Sequence, residues 1–332
     1  MSATLDLVLD TPGRHTGALR VAHSDDRSAY GEIVIPLVSL VGVAGPCVLL
    51  SAGIHGDEAE GPLALTRLIQ ALAPGDLAGT VIIAPMMNHP AVKASCRTSP
   101  LDLGNLARLF PGDARGTVTQ RIAAAVSTSL LPRVEAVLDI HGGGRTLEYI
   151  PCAWGRLPDD PALASRTLAA LMALGQERTV VVSATAHSGT LTSEAIAQGK
   201  LIAGTEIGGA GGVRPETVAA AERAARGFLA HLGLLPAEAA APTRLMRVRP
   251  AHFVRAPARG LFDPAFTLGD VVREGDIAGI LYDADRPWRA GEALRFAAGG
   301  LVVARGVAAM VEPGDVVVHL AEDVDAGSLL AR

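Results

Sequence analysis

Two histidines and a glutamate in this sequence stand where side chains of their types can share a metal ion. His55 and Glu58 lie in Gly53-Ile-His55-Gly-Asp-Glu58-Ala-Glu-Gly, directly after an apolar run at residues 47–52. Across a strand-to-helix turn, three-residue spacing lets an imidazole nitrogen and a carboxylate oxygen converge on one ion, and flanking glycines let the backbone bend tightly. A bare His-x-x-Glu is more often a surface coincidence, so a third donor is needed. Val137-Leu-Asp139-Ile-His141-Gly-Gly-Gly supplies it, as an apolar strand running into a histidine and three glycines. Asp139 and His141 project to the same face of a strand, which suits a carboxylate orienting an imidazole. Two nitrogens and one oxygen, with a fourth position left to water, form the usual donor set of a catalytic zinc site. The expected metal ligands are therefore His55, Glu58 and His141, and the expected cofactor is Zn2+.

Hydrolysis at such a centre needs a base for the attacking water and a positive group for the developing oxyanion. Glu206 ends the apolar run 201–205 and precedes Ile207-Gly208-Gly209, an odd place for a carboxylate that only packs or caps. Arg97, in a loop after another strand, is the oxyanion candidate, because its fork of donors can grip a carbonyl oxygen or a carboxylate. Cys47, Cys96 and Cys152 are odd in number and have no Cys-x-x-Cys spacing, which argues against a disulfide framework and a thiolate metal site. No Gly-x-Ser-x-Gly elbow supports a serine hydrolase.

These residues need a scaffold that brings several strand ends together. From about residue 47 short apolar runs alternate with helical patterns, the signature of an α/β domain with helices on a largely parallel sheet. Strands are expected at 48–52, 80–84, 136–140, 179–183 and 201–205, with helices at 60–72, 117–131, 161–174 and 215–232. Ligands at the C-terminal edges of such strands face the crevice where open α/β sheets bind their substrates. The last helix is the best marked, with Pro215 suited to a first helical position and an Ala/Glu/Arg-rich interior. An Ala/Pro-rich linker follows at 236–243. Beyond it the texture turns to short β-prone runs broken by Gly and Asp, so residues 1–240 are expected to form the α/β hydrolase domain, with a β-rich N-terminal segment, and residues 241–332 a smaller all-β domain.

With 332 residues the chain can bury a sizeable core without disulfides. Its composition is 49% hydrophobic, yet no run reaches the roughly 20 apolar residues that cross a bilayer. The first ten residues lack the layout of a secretory signal, so a cytoplasmic location is expected. A net charge of -5 and the lack of a dense basic tract exclude nucleic acid as a natural partner and favour a small molecule. Homo-oligomers are common among enzymes of this kind.

In order along the chain stand Gly53-x-His55-Gly-Asp-Glu58, Asn88-x-Pro90 with Arg97, Arg108-Leu-Phe-Pro-Gly112, Asp139-x-His141 and Thr205-Glu206-x-Gly208-Gly209. Together these motifs resemble the succinylglutamate desuccinylase/aspartoacylase family of the zinc carboxypeptidase superfamily, over residues 49–217. The resemblance implies a zinc-carboxypeptidase-like α/β/α sandwich with a C-terminal β domain that narrows the active-site entrance. It implies zinc on His55, Glu58 and His141, water activation by Glu206, polarisation of the scissile carbonyl by Arg97 and a substrate carboxylate held by Arg108. Where the family usually carries Asn before that arginine, this chain has Ala107, and Asn105 two residues earlier is the candidate to stand in as a substrate contact. The run from His141 to Pro151 is similar to the branch that deacetylates N-acetyl-diaminobutyrate. The expected activity is zinc-dependent deacylation of a small N-acylated amino acid or related amine. The alternatives are a carboxypeptidase acting on short peptides and a non-catalytic metal- or small-molecule-binding protein.

Overall fold

The computed structural model describes residues 3–182, 188–237 and 242–331. Residue 183 of the expected fourth strand and residues 238–241 of the expected linker lie outside the described residues. The first part of the chain forms β1 (Ala3–Asp6), β2 (Gly13–Asp25), β3 (Ser28–Val41), β4 (Val43–Ala52), β5 (Ala78–Ala84), β6 (Ala136–His141), β7 (Leu147–Gly155), β8 (Arg178–Val182) and β9 (Leu201–Gly209). Between and after them run α1 (Glu60–Ala71), α2 (His89–Ala94), α3 (Val118–Ala125), α4 (Pro161–Met172), α5 (Leu191–Ala197) and α6 (Pro215–His231).

Strand order places the chemistry. β5, β4, β6 and β9 lie side by side and parallel, so the segments leaving their C-terminal ends gather at one edge of the sheet. The sheet is mixed overall, because β3 joins β5 and β7 joins β9 in antiparallel pairing. Its strands alternate strictly. Val48, Leu50 and Ala52 face one apolar cluster with Leu65, Leu68, Leu171 and Phe228 of α1, α4 and α6, while Leu49 and Val137 face another with Ile122 and Leu191 of α3 and α5. Period-2 burial on both faces is what a sheet covered by two helical layers requires.

Local sequence explains the helix ends. Asp160 accepts the Leu163 N–H at the start of α4, and Thr117 and Gln120 form a reciprocal capping box at α3. The helix expected over 117–131 is α-helical only to Ala125. It continues as a π-helical turn, Val126–Leu130, and closes in a 3-10 turn, Leu131–Arg133, where Pro132 cannot extend the ladder. β7 is absent from the sequence expectations, since Glu148, Pro151 and Gly155 interrupt its apolar pattern.

The C-terminal region is β-rich: β10 (Arg244–Val248), β11 (Phe253–Arg255), β12 (Gly260–Pro264), β13 (Val271–Val272), β14 (Ile277–Tyr282), β15 (Glu292–Arg295), β16 (Gly300–Gly306), β17 (Met310–Val311) and β18 (Val316–Asp323), before the short α7 (Ala326–Leu330). It has its own four-stranded sheet and an apolar core that includes Phe262, Phe266 and Phe296. Five of its strands also extend the main sheet, β10 pairing parallel with β8, β18 with β10, β16 with both β18 and β7, β13 with β16 and β11 with β18. Among the described residues no helix is long and apolar enough to cross a membrane.

Candidate metal centre and active-site cavity

His55 and Glu58 follow the end of one parallel strand, β4, His141 ends another, β6, and Glu206 lies within a third, β9. β4 ends at Ala52, and Gly53, with φ +69°, turns the chain toward His55 and Glu58. That conformation is open to glycine at little steric expense. Gly56 then lets the loop lie directly against α2, where any Cβ would overlap the carbonyl of Ala91. The same contact positions Arg97, since the Gly56 N–H donates to the Cys96 carbonyl at 2.9 Å. β6 delivers His141, which pairs in register with Glu206 of β9. Glu60 fastens this edge, its buried carboxylate accepting the Gly209 N–H at 3.0 Å.

His55, Glu58 and His141 bring one donor atom each to within 4.8 Å of one another. Nδ1 of His55 lies 2.6 Å from Glu58 Oε1, and Nδ1 of His141 lies 2.8 Å from Oε2. The far ring nitrogens are also engaged. Nε2 of His55 lies 3.1 Å from Asn105 Oδ1, and Nε2 of His141 lies 3.0 Å from Asp139 Oδ2. An N–H on each Nε2 would leave both Nδ1 lone pairs facing the same point, so the donor set fits one divalent ion. His55 and Glu58 are each only 4% exposed. Although burial disfavours the charged Glu58, the imidazoles of His141 and His55 hold its carboxyl well below the usual range.

The centre opens into a cavity of about 430 Å³, within the size range of small-molecule sites. Arg97, Arg108, Asp139 and Glu206 line it together with His55, Glu58 and His141. Arg97 reaches Glu58 Oε1 at 3.3 Å. The Glu206 carboxylate has no hydrogen bond or ion pair among the described residues, and burial, reinforced by the neighbouring Glu58, pushes its pKa up to about 8. His141 and Arg97 oppose that rise. Asn105 Oδ1 accepts the Ala107 N–H at 3.1 Å and lies 3.1 Å from His55 Nε2, behind the candidate metal centre. Ala107 is on the wall and presents a methyl group.

The model of the succinylglutamate desuccinylase/aspartoacylase catalytic domain matches residues 44–232, more than half of the chain. The chain belongs to this family. The N-alpha-acetyl-L-2,4-diaminobutyric acid deacetylase of Halomonas elongata is 38% identical to it over 329 residues, covering 98% of this chain and 96% of that one. The product-bound ectoine utilization protein EutE (DoeB) of Ruegeria pomeroyi superposes with a TM-score of 0.92 at 34% identity, covering 96% of this chain and 98% of its own. A succinylglutamate desuccinylase/aspartoacylase from Rhodobacter sphaeroides gives the same TM-score and identity, covering 98% and 100%. As a member of this family the chain is a hydrolase acting on amide bonds.

Other residues complete this family member's cavity, and sequence reasoning passed over them. Tyr149, Trp154 and Arg156 come from β7 and the residue just past it, and Phe253, Val316 and His319 come from the C-terminal region. The Tyr149 hydroxyl lies 3.2 Å from His319 Nδ1, and the rings of Phe253 and His319 meet edge to face at 4.5 Å. Only His319 carried a signal, a lone imidazole in the apolar run of residues 316–321.

Proposed function

We propose that this chain is a zinc-dependent deacylase that removes the acyl group from a small N-acylated diamino acid of the N-acetyl-diaminobutyrate type. The observation that carries the reading is the convergence of two imidazoles and a carboxylate beside an unpaired carboxylate, Glu206, in one small cavity. The deacetylase named above, 38% identical across nearly the whole chain, supports the substrate class. Layers of helices on both faces of the sheet support a zinc-carboxypeptidase-like α/β/α sandwich. The separate apolar core beyond residue 241 supports a smaller β domain over 241–332 beside an α/β domain over 1–240.

His55, Glu58 and His141 would hold the zinc, with Asn105 and Asp139 fixing the two imidazoles from behind. Zinc, when bound, supplies Lewis acidity toward water and the scissile carbonyl. Glu206 takes a proton from the attacking water on its carboxylate while the water oxygen bonds to the acyl carbon. Arg97 sits beside the centre and donates to the carbonyl oxygen as negative charge develops there. Glu206 then gives its proton to the amine nitrogen as the C–N bond breaks, releasing the acid and the free amine. Arg108, on the cavity wall, binds the substrate carboxylate.

Phe253, Val316 and His319 wall the cavity from the C-terminal side, which favours a small substrate over a peptide running through an open groove. The test compares wild type with Glu206→Gln for zinc content and for release of acid from a panel of N-acyl amino acids and short peptides. We expect about one zinc per chain in both proteins, and in the variant a fall in kcat of about 10²–10⁴-fold. A wild type that binds zinc but hydrolyses only peptides would establish the carboxypeptidase alternative, and one that binds no metal would sink both.

A further inference from the structure

One corner of the cavity is built from four rings, Tyr149 and Trp154 of β7, Phe253 of β11 and His319 of β18. Neighbouring rings stand steeply to one another. Tyr149 meets Trp154 at 76° and His319 at 78°, with centroids 5.7 Å apart in both pairs, and Phe253 meets His319 at 69° and 4.5 Å. The Tyr149 hydroxyl lies 3.2 Å from His319 Nδ1, and His319 Nε2 has no hydrogen-bond partner among the described residues. Either tautomer leaves this pair an acceptor: Nε2 when Nδ1–H donates to the tyrosine oxygen, and the tyrosine oxygen itself when its O–H donates to Nδ1. Burial, with Arg255 adding to it, pushes the His319 pKa down to about 4, so the imidazole is uncharged near neutrality. Arg255 stands over the Phe253 ring and is not on the cavity wall.

Strand pairing puts this corner next to the reacting groups. β7 sets Tyr149 opposite Gly208, two residues past Glu206 on β9, and such diagonal neighbours lie about 7–8 Å apart. Burial, and after it the charge of Glu206, holds the Tyr149 hydroxyl's pKa well above its usual range. Ring faces and a neutral acceptor around one space suit an organic ammonium, which is drawn to the negative faces of aromatic rings. In an N-acyl diaminobutyrate the side-chain nitrogen is two methylene groups from the carbon that bears the scissile amide, so an amide held at Glu206 brings that nitrogen within reach of the corner. The unpaired carboxylate is the wrong partner for it, because an ammonium there would neutralise the base. We propose that Tyr149, Trp154, Phe253 and His319 form the subsite for the free side-chain ammonium of the substrate. The proposal rests on the deacylase reading above and deepens it, making the second amine the feature by which the enzyme selects a diamino acid.

The test uses the zinc-loaded full chain and two compounds of the same shape, N-α-acetyl-2,4-diaminobutyrate and N-acetylnorvaline, in which a methyl group replaces the side-chain ammonium. Wild type should favour the first by about 10–100-fold in kcat/KM, the size expected for a charged hydrogen bond with cation–π contacts. Tyr149→Phe and Phe253→Leu should each raise KM for the first about 10-fold with kcat nearly unchanged, and leave kcat/KM for the second within about twofold. Tyr149→Phe is nearly isosteric and carries the test should Phe253→Leu not fold. Equal losses on both compounds in a folded, zinc-loaded variant, or no loss on either, would overturn the assignment. Calorimetric titration of the free amino acids, 2,4-diaminobutyrate and norvaline, separates this from failure of the deacylase reading. If wild type hydrolyses neither amide but binds 2,4-diaminobutyrate more tightly than norvaline, and Tyr149→Phe shrinks that preference, the ammonium subsite stands and the reaction is wrong. If wild type shows no preference for the diamino compound in binding or turnover, or prefers norvaline, the subsite falls.

Discussion

At the scale of single residues, the proposed metal centre depends as much on what stands behind His55 and His141 as on the two imidazoles themselves. Asn105 Oδ1 and Asp139 Oδ2 each face an Nε2, so both imidazoles present Nδ1 toward Glu58. Removing such a partner leaves the ligand in place but free to rotate, which typically weakens metal affinity about 10–100-fold. Asn105→Ala is therefore expected to lower zinc affinity by that factor, measured by competition with a chelating dye. An unchanged affinity together with a raised KM would return Asn105 to the role of substrate contact. Glu206 differs, since among the described residues its carboxylate is unpaired, and its substitution should spare zinc binding.

At the scale of elements, α1 and the strands beneath it hold the loops that carry the ligands. Gly61, in the first turn of α1, lies so close to β4 and β6 that an added Cβ would stand 2.8 Å from Ala52 Cβ and 2.9 Å from Ile140 Cγ2. Ala52 leads into the His55 loop, and Ile140 directly precedes His141. Gly61→Val must push the helix off both strand ends, and overpacking of a tight core typically destabilises by about 1–3 kcal/mol. The expected result is a lower denaturant midpoint accompanied by weaker zinc binding. A variant that loses stability while retaining full zinc affinity would show that the strand ends hold their positions without α1.

At the scale of the whole molecule, the C-terminal region both extends the main sheet and contributes to the cavity wall. His319 of β18 sits at that junction, held by Tyr149 of β7, packed on Phe253 and near Arg255. Burial, with Arg255 adding to it, pushes its pKa down to about 4. Between pH 6.5 and 4 the unfolded chain thus carries a proton at this position that the folded chain refuses, so stability falls as pH falls through that window. A shift of this size corresponds to roughly 2–3 kcal/mol lost by pH 4.5 relative to pH 7.5. Urea unfolding of wild type and His319→Gln at those two pH values should show the variant's pH dependence smaller by about that amount. Parallel losses in the two proteins would mean that His319 titrates normally in the folded state.

Much of this protein was legible in its sequence because the signals were local. An apolar strand running into glycine and a ligand-type residue marks its own position, and His55, Glu58, His141 and Glu206 all carry that mark. Pro215 and the Ala-rich run after it likewise specify α6 without help from the rest of the chain. Tertiary structure decided what depends on pairing between distant segments. β7 has an interrupted pattern and exists as a strand because β9, β8 and β16 supply its hydrogen bonds. Only that pairing brings Tyr149 and Arg156 to the cavity, and only the return of β18 to the main sheet brings His319 there. Asn105 shows the same limit at one residue, since the sequence puts it beside Ala107 but the approach of a loop fifty positions away gives its carboxamide His55 as a neighbour. The chain's local chemistry named the side chains that gather at the sheet edge, and long-range strand pairing, which no short window of sequence encodes, built the walls around them.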